Sequence, residues 1–151
     1  DSIYYFHNYG MKDGSLADIG SGGGFPGIVL GIFYPEKKIT LIESIGKKCR
    51  FLETASKELE LENIEVLNTR VEQIKDRKFD IITARGVTTV KELLKNTGNI
   101  SDKNTTWVLY KGEKLETELE DALPVIKKRG LHVEKIRIET PITRSYCIIN
   151  N

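Results

Sequence analysis

"LADIGSGGGFPG", residues 16–27, sets five glycines, a proline and one aspartate directly behind a short apolar run. Residues 16–19 suit a strand, and Pro26 sits where the first turn of a helix tolerates proline. A glycine-rich turn between strand and helix lets the backbone approach a ligand closely and aims free helix-start N–H groups at it. The stretch therefore predicts a βα unit whose turn meets an anionic or nucleotide-like ligand.

On either side the same alternation continues. Short runs rich in β-branched residues at 38–43 (KITLIE), 64–68, 79–84 (FDIITA) and 107–110 predict four more strands. Helices are expected between them. The first carries Ile28, Val29, Leu30, Ile32 and Phe33 and is expected to be buried on most sides. The second, 47–61, has Phe51, Leu52, Ala55 and Leu59 spaced for one apolar face. A third lies near 87–96. A long charged one, 113–129, meets Pro124 as a kink or a boundary and stops at Gly130. Strands at 133–138 and 146–149, joined by the turn-like Thr140-Pro141, close the chain as an antiparallel pair. Repeated βα units imply a mostly parallel sheet in an α/β fold.

The spacing within the glycine turn selects the ligand. Dinucleotide folds favour G-x-G-x-x-G, whose third glycine falls three residues after the second. Counted from Gly20 and Gly22, that slot holds Phe25 and the pattern fails. What stands there is Asp18-x-Gly20-x-Gly22-x-Gly24. A carboxylate at 18 repels a pyrophosphate and attracts an ammonium group. S-adenosylmethionine carries such an ammonium and no phosphate. Glu43, ending 38–43, adds a carboxylate that can accept from both hydroxyls of an adenosine ribose. Asp18 and the missing third glycine, more than Glu43, separate a methyl donor from a nicotinamide cofactor.

The chain has 151 residues, 39% hydrophobic and 30% charged, which predicts one domain spanning 1–151. A formal net charge of +1 gives no global attraction to nucleic acid or to an anionic membrane, so any such partner is held by a local patch. Cys49 and Cys147 are far apart and read as buried small residues of a reducing compartment; no disulfide and no metal site is expected. No apolar run reaches the roughly 20 residues of a membrane span, so no membrane partner and a cytoplasmic location are expected. The opening Asp1-Ser2-Ile3, without methionine, leads us to expect an upstream segment.

The methyl acceptor of such a fold lies beyond the carboxyl ends of the strands. Near the fourth strand stands Thr83-Ala84-Arg85-Gly86, without an Asn/Asp-Pro-Pro-aromatic turn for an exocyclic amine. Neither cysteine falls at a strand end, as pyrimidine C5 chemistry requires, and no Asp/Asn cluster offers metal ligands for a catechol. An acceptor that is already nucleophilic remains. Guanine N7 has a lone pair and no proton to lose, so positioning supplies most of its catalysis. Arg70, Arg85, Lys111 and Arg144, all at strand ends, are the candidates to hold the base or its phosphates, although each taken alone reads equally as a surface cation. Trp107 is expected to pack in the core rather than stack a base.

DIGSGGGFPGI (18–28), TLIESIGKKCRFL (40–52), NTRVEQI (68–74), FDIITARGV (79–87) and YKGEK (110–114) resemble, in order and spacing, the successive blocks of one family. It is the RsmG family, also known as glucose-inhibited division protein B, of bacterial small-subunit ribosomal RNA guanine-N7 methyltransferases. The resemblance implies a Rossmann-like class I S-adenosylmethionine-dependent methyltransferase fold, with a mostly parallel seven-stranded sheet ending in an antiparallel pair. It implies methyl transfer from S-adenosylmethionine, leaving S-adenosylhomocysteine, to N7 of a guanine in 16S ribosomal RNA, free or in the 30S subunit, by a monomer. The cofactor-binding positions then fall on Asp18, Gly20, Gly22, Gly24, Phe25 and Glu43, with Val71, Glu72 and Arg85 beside them. The RNA-binding or catalytic positions fall on Arg70, Arg85, Lys111 and Arg144. Asp1-Ser2 is similar to the end of the family's His-x-x-Asp-Ser segment, and the family's N-terminal helical region precedes that point. Without those helices, cofactor binding is expected to survive more readily than RNA methylation. The residues themselves leave open a methyltransferase acting on a small molecule or protein, or a cofactor-binding fragment without RNA activity.

Overall fold

Strands β1 (Leu16–Ile19), β2 (Ile39–Glu43), β3 (Ile64–Asn68), β4 (Ile81–Arg85), β5 (Thr106–Lys111), β6 (His132–Ile138) and β7 (Arg144–Asn150) join in one sheet of order β3-β2-β1-β4-β5-β7-β6. The structure, a computed structural model, describes residues 1–139 and 143–151, so the expected turn at Thr140-Pro141 lies outside the described residues. The first five strands pair in parallel, and β7 runs antiparallel to both β5 and β6. Chain order reverses between β1 and β4, and in an open α/β sheet the crevice beyond the carboxyl ends at that reversal is where ligands bind.

Every residue of β1 and β2 is buried, because helices cover both faces of the sheet. Successive side chains of a strand point to opposite faces. Leu16, Leu41, Ile81 and Ile148 accordingly pack with Phe6 of α1 (Tyr4–Tyr9), Ile28 and Leu30 of α2 (Gly27–Phe33) and Leu52 of α3 (Gly46–Glu58). Ala17, Ile82, Leu109 and Ile149 pack with Leu93 and Leu94 of α4 (Val90–Asn96) and with Ala122 and Ile126 of α5 (Leu115–Arg129). Trp107 is wholly buried in this second layer, its Nε1–H donating to Thr97 Oγ1 at 3.0 Å. Cys49 and Cys147 are buried free thiols.

Three expectations about the helices need correction. Ile32 and Phe33 of α2 are 47% and 59% exposed: the helix is under two turns long and buries only Gly27, Ile28, Leu30 and Gly31. In α3 the buried line is Cys49, Leu52 and Ser56, which leaves Phe51 one position off it, while Leu59 falls past the last helical residue, Glu58, and both are exposed. Of the kink or boundary expected at Pro124, the boundary is excluded: α5 runs through it to Gly130, whose φ of 63° makes the left-handed stop. Helix α1 lies in a stretch with no clear period, and its place comes from aromatic packing: Tyr5 and Phe6 meet edge to face, and Tyr4 stacks on Tyr146. Among the described residues no helix is long and apolar enough to cross a membrane, and no group of three or more His, Cys, Asp or Glu is placed to hold a metal.

Candidate active site

The turn after β1 coils through left-handed backbone at Gly20, Gly22 and Gly24, with φ of 64°, 53° and 91°. Side chains adopt this region at a cost, and at Gly20 there is no room for one either: a Cβ would stand 2.7 Å from Val87 Cγ2. The chain therefore presents bare backbone at the sheet's reversal point, opposite the loop that follows β4.

Two carboxylates hold this turn from opposite sides. Glu43, at the end of β2, is 5% exposed. Its Oε2 accepts the Gly22 N–H at 3.1 Å and its Oε1 the Ile45 N–H at 3.0 Å. Asp18 lies beneath the turn and is wholly buried. Its Oδ1 accepts from the Thr83 hydroxyl at 2.7 Å and its Oδ2 from the Gly27 N–H at 3.1 Å, linking β1 to β4 and to the start of α2. Burial pushes the Asp18 carboxyl up to about 6, opposed by hydrogen bonds from Thr83 and Gly27 and by the charge of Arg85. Where the sequence sets Asp18 against a ligand's ammonium, the structure commits both of its oxygens to internal donors. The field it adds to the turn is negative all the same.

A cleft of about 320 Å³ opens over the carboxyl ends of β1, β2 and β4 and the 3₁₀ turn Val71–Gln73. Gly20 and Glu43 form its floor, and Val71 and Val87 give it apolar walls. A phosphate would need free N–H groups at the turn. Here the amides of Gly22 and Gly27 donate to carboxylates, so the turn is set against anions and suits an adenosine whose charged end is a cation. Each Glu43 oxygen keeps a further lone pair for a ribose hydroxyl. Arg70 and Glu72 flank Val71 on the rim with exposed side chains.

The four candidate cations do not converge. Arg85 and Arg144 come together at Asp1, whose Oδ1 lies 3.8 Å from Arg85 Nη1 and whose Oδ2 accepts from Arg144 Nε at 3.1 Å. Arg85 also lies over the ring of Phe25, 5.1 Å from its centre. Arg70 stands apart, on the Val71 side of the cleft. Lys111 is turned inward: its ammonium donates to the Thr88 carbonyl at 2.7 Å and to Glu118 at 2.6 Å, fixing the loop after β4 against α5. Sequence reasoning missed Thr83 and Asp1. Thr83 carried a signal, since a hydroxyl in a buried parallel strand needs a partner. Asp1 reaches the site only because of where α1 packs, which no local pattern announces.

Comparison with known proteins bears on the fold and on the family. The family model GidB, described as rRNA small subunit methyltransferase G, matches residues 1–144. The protein of that name from Aliarcobacter butzleri is 43% identical over 122 residues, covering 81% of this chain and 62% of that protein. The one from Mycoplasma capricolum is 37% identical over 139 residues, covering 91% of this chain and 60% of that protein. The chain thus spans about three fifths of the length of these relatives. Among solved structures, a putative S-adenosyl-L-methionine-dependent methyltransferase from Methanococcus maripaludis superposes with a TM-score of 0.77 over 99% of this chain and 83% of its own, at 17% identity. A SAM-dependent methyltransferase from Aquifex aeolicus gives 0.73 over 98% and 89%, at 19% identity. At such identity these two speak for the fold, a class I methyltransferase fold, while the family match and the closer relatives settle kinship: the chain belongs to the GidB family.

Proposed function

We propose that this chain is the cofactor-binding and catalytic part of a small-subunit ribosomal RNA methyltransferase that acts on N7 of a guanine in 16S ribosomal RNA. The observation that carries the reading is the pairing of the turn's amides with carboxylates, Gly22 with Glu43 and Gly27 with Asp18. That arrangement disfavours a pyrophosphate and leaves an adenosine-sized cleft with a carboxylate at its floor. The names of the relatives support the ribosomal substrate.

S-adenosylmethionine, when bound, supplies an activated methyl group. Glu43 would hold the ribose hydroxyls, the backbone and apolar wall at Arg70-Val71-Glu72 would receive the adenine, and the turn at Gly20, Gly22 and Gly24 would let the amino-acid end approach closely. Phe25 and Arg85 stand at the mouth on the acceptor side. Arg85 and Arg144 hold the incoming base and its phosphates, and Lys111 keeps the loop after β4 in place for them. Guanine N7 has no proton to lose, so no general base is needed and catalysis is positioning. In this reading the chain works as a monomer in the cytoplasm, on 16S ribosomal RNA either free or in the 30S subunit.

Incubation with methyl-labelled S-adenosylmethionine and small-subunit ribosomal RNA tests the reading. Label recovered as 7-methylguanine in 16S RNA is the expected result. Label on protein or small molecules only, or cofactor binding with no RNA modified, overturns it in favour of a different acceptor or of a fragment that only binds the cofactor.

A further inference from the structure

A second recess, of about 370 Å³, lies beside the cleft and is lined by Asp1, Ser2, Ile3, Phe25, Val29 and Arg85. The residues that follow Arg85, Gly86 and Val87, line the cleft itself, so the two hollows meet at the end of β4. The recess has one aromatic wall: Phe25, 48% exposed, shows half of a large apolar side chain at a polar rim. Opposite stands the Asp1 carboxylate. Its Oδ2 accepts from Arg144, and its Oδ1 accepts no hydrogen bond among the described residues.

Asp1 is held firmly. The Tyr146 hydroxyl donates to the Asp1 carbonyl and the Tyr110 hydroxyl to the Ser2 carbonyl, each at 2.5 Å. Burial pushes Tyr146 up to about 12 and raises Tyr110 as well, so both phenols remain protonated donors at any working pH. The carboxylate is thereby fixed over the ends of β4 and β7 by the sheet itself.

Between these walls the free chain places the guanidinium of Arg85, stacked on Phe25 and turned toward Asp1. A guanidinium is a flat group with parallel N–H donors, and the N1–H and N2–H₂ edge of guanine is the same chemical fragment built into a ring. Adenine has no donor at N1. Resting on the guanine-N7 reading above, we infer that this recess is the pocket for the target guanine, with Asp1 accepting from its N1–H and N2–H₂ edge and Phe25 stacking on its face. The base takes the place that Arg85 holds in the free chain, and one N–H of the displaced Arg85 donates to O6 alone, so the N7 lone pair on the O6 edge stays free. O6 and N7 share that edge, which then faces the cleft. Asp1 is thus a specificity-determining residue, and Phe25 an acceptor platform rather than a cofactor contact.

The test is a binding titration with a short single-stranded RNA holding one guanosine, against the same RNA with inosine there, both in the presence of S-adenosylhomocysteine. Inosine lacks only the N2 amine. The expected result is about tenfold weaker binding of the inosine RNA to the unaltered chain. Asp1→Asn is expected to weaken the guanosine RNA and remove the discrimination, a change of ratio that a merely structural role would not give. Phe25→Leu is expected to weaken both RNAs alike while keeping the ratio. Equal binding of the two RNAs by the unaltered chain, no RNA binding, or discrimination kept in Asp1→Asn overturns the inference. S-adenosylhomocysteine binding in the same titration tells these failures apart from failure of the methyltransferase reading, which is the case only if the cofactor product does not bind.

Discussion

Glu43 Oε2 accepts the Gly22 N–H at 3.1 Å, so the acid that ends β2 also closes the glycine turn that follows β1. One side chain thus shapes the turn and offers the ribose its acceptor. Glu43→Ala frees the amides of Gly22 and Ile45 in a part-buried place and is expected to cost about 1–3 kcal/mol in denaturant unfolding. S-adenosylmethionine affinity is expected to fall tenfold or more. Unchanged affinity would remove Glu43 from the site.

Asp18 links pH to stability. Its carboxyl is raised from 3.8 to about 6 by burial, so the folded chain holds this proton more tightly than the unfolded one. The stability it contributes is complete below pH 3.8, and is lost as pH rises through 6. Asp18→Asn does not titrate. The unfolding free energy of the unaltered chain minus that of the variant is expected to decrease by about 3 kcal/mol from the acid plateau to neutral pH. Denaturant melts of both chains at several pH values measure it, and a difference that stays flat or rises contradicts the buried placement.

Gly20 is the tightest point of the turn. Gly20→Ala puts a Cβ 2.7 Å from Val87 in left-handed backbone. The strain is expected to cost about 1–2 kcal/mol, and the displaced turn and Val87 narrow the cleft. Thermal unfolding with and without S-adenosylmethionine checks both parts: a lower midpoint, and a smaller rise on adding the ligand.

Lys111 is engaged inside the protein, between Thr88 and Glu118, while Glu118 also accepts the Val90 N–H. Lys111→Met is expected to lower the unfolding free energy by about 1–3 kcal/mol. With Glu118→Gln added, the loss is expected to be smaller than the sum of the two single changes, because the pair shares one interaction. Strict additivity would mean the contact contributes nothing.

The sheet was legible because each strand carries its own signal: β1 and β2 are apolar runs bounded by glycine or charge, and parallel strands buried on both faces leave little ambiguity. Gly20 and Glu43 were legible for a related reason, since a strand that ends in glycine or acid places that residue at the sheet's rim. The facing of helices was less so. Phe51 is a large apolar residue beside Leu52, and only the direction in which α3 docks decides that the line through Cys49, Leu52 and Ser56 is buried, while Leu59, on that line by spacing, lies past the end of the helix. The Asp18 partner was hidden because Thr83 lies 65 residues along the chain, and those of Lys111 because the turn between β5 and α5 and the loop after β4 must fold back before Glu118 and Thr88 reach it. Asp1 was hidden for the same reason: its meeting with Arg85 and Arg144 depends on tertiary packing of α1.

Calorimetric titration of the chain with S-adenosylmethionine and, separately, with NAD probes the carboxylate-bound glycine turn. Binding of S-adenosylmethionine alone, weakened in Glu43→Ala, is the predicted result. Binding of NAD in preference, or of neither ligand, would contradict the assignment of this cleft to a methyl donor.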